Sequence, residues 1–209
     1  MDRYDDSLDD QLDTSIFNDA PADPIALLQL WVDQARKLQV REPGAIALAT
    51  TGPDAHASNR IVQVLDITRD SLVFATHAHS QKGREIAALG WASGVFYWRE
   101  TQQQVTLSGS IAPIRDEESD VLWARRSPET YPMSSVSRQS ETLEDEAALR
   151  LEAQRLASLG TPLPRPANWI GYALRPSIVE FWQAARDRLH GRLRYDATPS
   201  GWSARRLQP

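Results

Sequence analysis

The 209-residue, 23.4 kDa chain is 41% hydrophobic and 24% charged, with 10 Gly and 13 Pro. That balance supports one packed core and excludes collagen-like, low-complexity and wholly disordered classes. It has no Cys, which removes disulfides, thiolate zinc sites, iron–sulfur clusters and cysteine nucleophiles, so any redox chemistry has to come from a borrowed cofactor. The net charge of −5 is uneven: residues 1–23 hold eight Asp and one Arg, leaving +2 for the rest. Residues 186–206 carry six Arg against two Asp, a place for an anion to dock but too local for nucleic acid. The chain opens with acids where a secretory leader needs basic residues and an apolar run, and no stretch approaches 18 uncharged apolar residues, so a soluble cytoplasmic protein is expected.

Residues 1–22 mix Asp, Ser and Asn without a sustained period and read as a flexible acidic arm, with a single domain over 23–209. Asp23-Pro24 supplies an N-cap and a first-turn proline. Leu28, Trp31, Val32, Ala35 and Leu38 then recur at helical spacing to about Val40. From Gly44 the pattern becomes strand-like, over 44–51, 57–66 and 71–76, with turn residues between. Ser80 caps a short helix through Leu89, and strands 92–98 and 102–114 follow across a hairpin-sized connection. Acidic residues 116–120 open a helix that Ser127-Pro128 ends, and a second helix covers 141–159 with Leu149, Ala153, Leu156 and Ala157 on one side. TPLPRP at 161–166 is a stiff connector to two strand-like runs, WIGYALR and SIVEFWQA. Many short strands with a few helices favour a mainly β fold with peripheral helices (α+β), a closed antiparallel barrel with helices outside it.

The residues exclude several chemistries. There is no G-x-G-x-x-G after a strand, no G-x-x-x-x-G-K-[ST] and no G-x-S-x-G, so Rossmann, P-loop and α/β-hydrolase readings fall away. His77 and His79 form an H-x-H pair without a third ligand, and no metal site is expected. What remains is polar residues inside apolar strands. Arg60 interrupts the run 57–66, where a charge must face solvent or meet an anion. Ser80-Gln81-Lys82 opens a helix and reads as a phosphate cradle of free N–H groups, positive dipole end and a cation. Gln104 opens a strand, and Ser140 is either a site residue or only an N-cap. In EFWQAARDRLHGRLRY at 180–195, Arg188, His190 and Arg192 have strand period beside Trp182 and suit a flat anionic ligand; an exposed face at a subunit boundary is the other reading.

SNRIVQVLD, FATHAHSQKGREIA, WASGVFYWRE followed by QQQV, SVSRQSETL, PLPRP, VEFW, RLHGRLRYD and the terminal RLQP occur in an order and spacing that resembles the pyridoxamine 5′-phosphate oxidase family of FMN-binding, Greek-key split barrels, over about residues 20–209. Within it the chain looks most like the phenazine-biosynthesis oxidases. The resemblance implies a homodimer with FMN between the subunits, contacted by Arg60, Ile61, Val62, Gln63, Ala75, Thr76, Ser80, Gln81, Lys82, Gln104, Gln139, Ser140, Trp182 and Arg192. Gln81 stands where the vitamin-making enzymes often have Arg. Arg126, Arg188 and His190 match substrate-facing positions, the last two being the catalytic candidates. Leu65 replaces a phosphate-binding Lys, Leu122 a Tyr and Thr130 a Ser. Apolar residues in place of a cation and a hydroxyl suit a large fused ring carrying carboxylates. The implied activity is oxidation of dihydro- or more reduced phenazine carboxylates with oxygen as acceptor. Pyridoxine 5′-phosphate oxidation and a non-catalytic flavin-binding barrel are the alternatives, Leu65 and Leu122 speaking against the first and Arg188 and His190 against the second.

Overall fold

The computed structural model describes residues 14–160 and 162–209. Its centre is an antiparallel sheet of β1 (Ala45–Thr51), β2 (Ala57–Gln63), β3 (Asp66–Ile67), β4 (Leu72–His77), β5 (Trp91–Trp98), β6 (Gln103–Pro113), β7 (Trp169–Gln183), β8 (Gly191–Thr198) and β9 (Gly201–Arg206). The neighbours run β2-β1-β5-β6-β7-β4-β3. Because β3 continues β2 after a two-residue break, the stretch 57–67 touches both ends of that order and closes the sheet on itself. The result is the split barrel that the sequence resemblance implied. The break falls at Val64 and Leu65, where Val64 N still donates to Gly44 O and Leu65 N to Val73 O.

Alternation fixes which residues fill the barrel. In β5 and β6, Ala92, Phe96, Trp98, Val105 and Leu107 point inward and are at most 2% exposed, whereas Trp91, Tyr97 and Ile61 of β2 stay about half exposed or more on the outer face. Helix α1 (Pro24–Lys37) starts as expected, Asp23 accepting from Ile25 N and Ala26 N, and buries Leu28, Trp31, Val32 and Ala35. Trp31 meets Trp98 and Phe181 at ring centroid distances of 6.3 and 5.0 Å. Helix α2 (Gln81–Leu89) packs on β1 and ends at Gly90, whose φ of 59° is the left-handed cap that favours glycine. Among the described residues no helix is long and apolar enough to cross a membrane.

The structure differs from the sequence reading at several points. WIGYALR and SIVEFWQA are one strand, β7, because its break at Pro176 is absorbed by a register shift opposite Ser108/Gly109. There a Cβ on Gly109 would lie 2.0 Å from Arg175 O, so no side chain fits. Strand β9, which carries no apolar alternation, forms by pairing with β8. The helix expected over 141–159 is α5 (Glu146–Ala157), capped by Asp145, and only Ala153 of its expected stripe is buried. Between α3 (Asp116–Ala124) and α5 lies a further short helix, α4 (Tyr131–Val136). At the N-terminus, residues 14–22 of the expected arm include a 3-10 turn at Ser15–Phe17 that buries Ile16 and Phe17, and Tyr195 Oη donates to Pro21 O at 3.0 Å. Packing therefore begins before residue 23, while residues 1–13 of the expected arm lie outside the described residues.

Candidate functional site

A cleft of about 590 Å³ lies where β2, β4, the start of α2 and the α4–α5 connection meet. It is lined by Arg60, Ile61, Val62, Gln63 and Leu65 from the strand 57–67, Ala75 and Thr76 from β4, and Lys82 from α2. Arg126, Ser134, Gln139, Ser140 and Trp169 complete it. Eleven positions that the sequence separated by up to 80 residues are thus brought together here, and Ser134 and Trp169 are additions that the sequence reading missed.

The floor of the cleft is the helix start. Ser80 Oγ accepts from Gly83 N, so the side chain caps α2. Ser140 is not the N-cap of the next helix; its Oγ accepts instead from Gln81 N at 3.1 Å, tying the α4–α5 connection to the positive end of α2. Lys82 Nζ donates to Thr76 Oγ1 at 3.0 Å and to Gln139 Oε1 at 3.4 Å. Burial, then the nearby Arg60 charge, lowers the Lys82 pKa from its usual value, with Glu85 opposing. Arg60 does meet an anion, as a charge in a strand must: Glu85 on α2, at 3.3 Å. Two cations, a capped helix start and hydroxyl and amide groups make a donor set suited to a phosphate monoester.

The wall is aromatic. The Arg126 guanidinium lies over the rings of Trp123 and Trp169, 4.9 and 5.1 Å from their centroids, and Nη2 donates to Ser134 Oγ at 2.8 Å. Its Nη1 is buried and has no partner among the described residues, a donor available to a ligand anion. Beside it His77 is 2% exposed with both ring nitrogens unpartnered. Burial and then the Lys82 and Arg126 charges push its pKa down, so the ring stays neutral.

The remaining sequence candidates fall elsewhere. Gln104, Trp182 and Arg192 are cross-strand neighbours in one row over β6, β7 and β8. Between that row and β2 stand β1 and β5, and along β7 the row lies at the opposite end from Trp169, which lines the cleft. Arg188 and His190 do not extend strand β8; they sit in the turn before it, where Arg188 has a φ of 68° and its N–H donates to Ala185 O. His190 Nδ1 accepts from Ala185 N at 3.0 Å, and its ring lies 5.0 Å from that of Trp182. Arg192 is held by Glu180, Nη2 to Oε1 at 2.7 Å. Leu122 is 7% exposed in the small core with Val73, Trp123 and Trp169 and borders a neighbouring cleft lined also by Asp66, Arg115 and Arg175. Thr130 donates to Ser127 O at the start of α4. One chain therefore does not bring Leu122, Thr130, Arg188 or His190 to the Lys82 cleft.

Fold and site together define a split barrel with a cationic cleft, suited to an anionic ligand, at the start of its second helix. Comparison with known proteins narrows the class. Residues 32–160 match the family model described as pyridoxamine 5′-phosphate oxidase, and residues 169–209 match the pyridoxine 5′-phosphate oxidase C-terminal dimerisation region. A dihydrophenazinedicarboxylate synthase of Pseudomonas chlororaphis is 48% identical over 90% of this chain and 85% of its own length. A pyridoxine/pyridoxamine 5′-phosphate oxidase of Methylibium petroleiphilum is 37% identical, covering 90% and 89%. The crystal structure of PhzG from Burkholderia lata in complex with tetrahydrophenazine-1-carboxylic acid superposes with a TM-score of 0.93 at 45% identity, over 95% of this chain and 98% of that one. The chain belongs to the pyridoxamine 5′-phosphate oxidase family, and it is an oxidoreductase of that family.

Proposed function

We propose that the protein is an FMN-dependent oxidase that converts dihydro- or more reduced phenazine carboxylic acids towards aromatic phenazine carboxylates, with oxygen as the final electron acceptor. FMN, when bound, supplies the acceptor for a hydride or its equivalent, and the chain's residues supply binding and orientation. Arg60, Lys82 and Ser140 hold its phosphate at the positive end of α2; Ile61 to Gln63, Ala75, Thr76 and Gln139 flank the rest. Gln104, Trp182 and Arg192 serve the site of a second copy, because the row sits at the far end of β7: Trp169, which lines the Lys82 cleft, opens that strand and Trp182 nearly closes it, roughly 40 Å apart at about 3.3 Å per residue. The outer face between, with Ile61 65%, Tyr97 59% and Trp91 49% exposed and Ala45, Ala47 and Ala49 alongside, suits such a copy.

The observation that carries the substrate reading is the pairing of Leu65, 40% exposed in the cleft, with the unpartnered Nη1 of Arg126. An apolar contact replaces a phosphate partner, while a carboxylate still finds a guanidinium packed against two indoles. Arg188 and His190 complete substrate binding from the loop before β8, with Leu122 and Thr130 shaping the surroundings. His190 Nδ1 is an acceptor, so the neutral ring carries its proton on Nε2 and offers the substrate a donor. The relatives that match include both a phenazine enzyme and vitamin oxidases, and the higher identity to the first supports the same choice. Anaerobic stopped-flow mixing of the FMN-loaded protein tests the reading: a dihydrophenazine carboxylate should bleach the flavin and pyridoxine 5′-phosphate should not. The reverse result restores the vitamin oxidase.

A further inference from the structure

Arg60 is held from behind by residues that do not line the cleft. One Nη donates to Thr50 Oγ1 on β1, and the other to Ser58 Oγ on its own strand and to Glu85 Oε2. Both hydroxyls in turn donate to that same Oε2, Thr50 at 2.5 Å and Ser58 at 2.6 Å. The other carboxylate oxygen accepts from Gln81 Nε2 at 2.9 Å. The Glu85 side chain is 11% exposed and that of Arg60 19%, so water competes little for these bonds.

The proton bookkeeping gives the arrangement one sense. An ionised carboxylate only accepts, so the Thr50 and Ser58 hydrogens both point at Glu85 and their lone pairs are left facing the guanidinium. Arg60 therefore meets three oriented acceptors and is fixed in one pose. Gln81, at a position where a cation is common among the vitamin oxidases, turns its amide to Glu85 and contributes to the cleft floor only through its backbone N–H to Ser140.

We infer that Glu85, oriented by Gln81, is the positioning residue of the phosphate cradle: with Thr50 and Ser58 it holds Arg60 in the pose that receives the FMN phosphate. The inference rests on the FMN reading given above. Its cost is electrostatic, since a carboxylate behind the cation weakens the pull on an anion; its benefit is that the cation needs no ordering when the phosphate arrives. The two effects have opposite signs, which makes the test decisive.

The full-length apoprotein is titrated with FMN and with riboflavin, which lacks the phosphate, following quenching of flavin fluorescence. Glu85→Gln keeps one acceptor oxygen for the two hydroxyls, with its NH2 turned to a flipped Gln81 amide, but loses the charge that orients them and the charge-assisted bond to Arg60. It should raise the FMN dissociation constant about tenfold and leave riboflavin within about twofold. Thr50→Val should act in the same direction and Thr50→Ser should restore binding, a pair that carries the test if Glu85→Gln does not fold. Glu85→Gln binding FMN as tightly as the parent or more tightly, or losing FMN and riboflavin equally, overturns the proposal. Arg60→Ala is the control. An unchanged FMN affinity there brings down the cradle itself, whereas a loss there with none in Glu85→Gln overturns the positioning role alone.

Discussion

The Lys82 cleft and the Gln104–Trp182–Arg192 row contrast in how their polar groups are satisfied. In the cleft nearly every donor is already engaged within the chain: Lys82 by Thr76 and Gln139, Arg60 by Thr50, Ser58 and Glu85, the α2 start by Ser80 and Ser140. The row is half-exposed, with Trp182 tilted against His190 and Arg192 tied to Glu180 and, at 2.9 Å, to Gln208 O. On the reading proposed above, a preorganised anion cradle and an open aromatic and cationic edge are complementary halves of one site. Within one chain they lie at opposite ends of β7, roughly 40 Å apart at about 3.3 Å per residue, farther than a single flavin spans, which is the physical reason for assigning them to two copies.

The sharpest way to break that contrast is complementation. Lys82→Ala damages the cleft and Trp182→Ala the row, and each homodimer should retain little FMN. When equal amounts are unfolded and refolded together, half the dimers are mixed, and each mixed dimer has one intact site if the halves come from different chains. About a quarter of the parental flavin should return. No recovery in mixed dimers, confirmed as mixed by mass spectrometry, places both halves on one chain and removes the reason for the dimer.

A second expectation concerns the acid limb of stability. Its hydrogen bonds to Ser58, Thr50, Gln81 and Arg60 outweigh burial and hold Glu85 at a pKa of about 2, against 4.5 for the ordinary side chain. A depressed carboxylate contributes stability that is complete above the unfolded value and is lost as pH falls from about 4.5 towards 2. The contribution is on the order of 3 kcal/mol. Urea unfolding at steps from pH 6 to pH 3 should therefore show a steeper decline in the parent than in Glu85→Gln, with the difference opening below pH 4.5. Parallel curves would show that Glu85 titrates normally and that the network is not closed in solution.

The two halves also differ in how far the sequence disclosed them. Arg60, Ser80 and Lys82 were readable because their signals are local: a charge inside an apolar strand, a capping hydroxyl and a cation one residue into the first turn. Glu85 was not, since its partners Thr50, Ser58 and Arg60 lie 25 to 35 residues away in sequence. The available hint was a carboxylate beside Ile86 on the buried side of α2. The late residues were misread for a different reason. Alternation placed Arg188 and His190 on a strand face, but Asp187 Oδ1 accepts from Leu189 N, Arg188 turns to a positive φ, and the chain reverses before β8 begins. Pro176 misled in the opposite direction, because the bulge at Gly109 lets β7 continue past it. Which copy a residue serves is not a local property, and in the sequence only the family resemblance bears on it.

Within the cleft itself, removing one charge sharpens the comparison. Lys82→Ala deletes a charge-assisted contact to the phosphate, with a cost of about 1.5–3 kcal/mol, or roughly ten- to a hundredfold in FMN affinity. Among the described residues Lys82 bonds only to Thr76, Ser80 and Gln139, so the thermal midpoint of the apoprotein should move by no more than a few degrees. A variant that copurifies with a full FMN complement at unchanged affinity means that the phosphate lies elsewhere.

The smallest effect should come from Ser140. Its hydroxyl accepts from Gln81 N at an exposed position, and its backbone holds a φ of 70°, a region that a residue without glycine's freedom occupies at some cost. Ser140→Ala leaves that φ and Cβ in place and removes the hydroxyl, which accepts from Gln81 N and offers its own hydrogen to the phosphate. A single neutral hydrogen bond in that setting is worth about 0.5–1.5 kcal/mol, a weakening of FMN binding of about two- to tenfold with no change for riboflavin. Ser140→Gly separates the two contributions: it relieves the backbone while deleting the same bond, so any difference from alanine reports how firmly the α4–α5 connection is held against α2. If alanine and glycine both bind FMN as the parent does, Ser140 is a connector residue and the cradle consists of Arg60, Lys82 and the helix start alone.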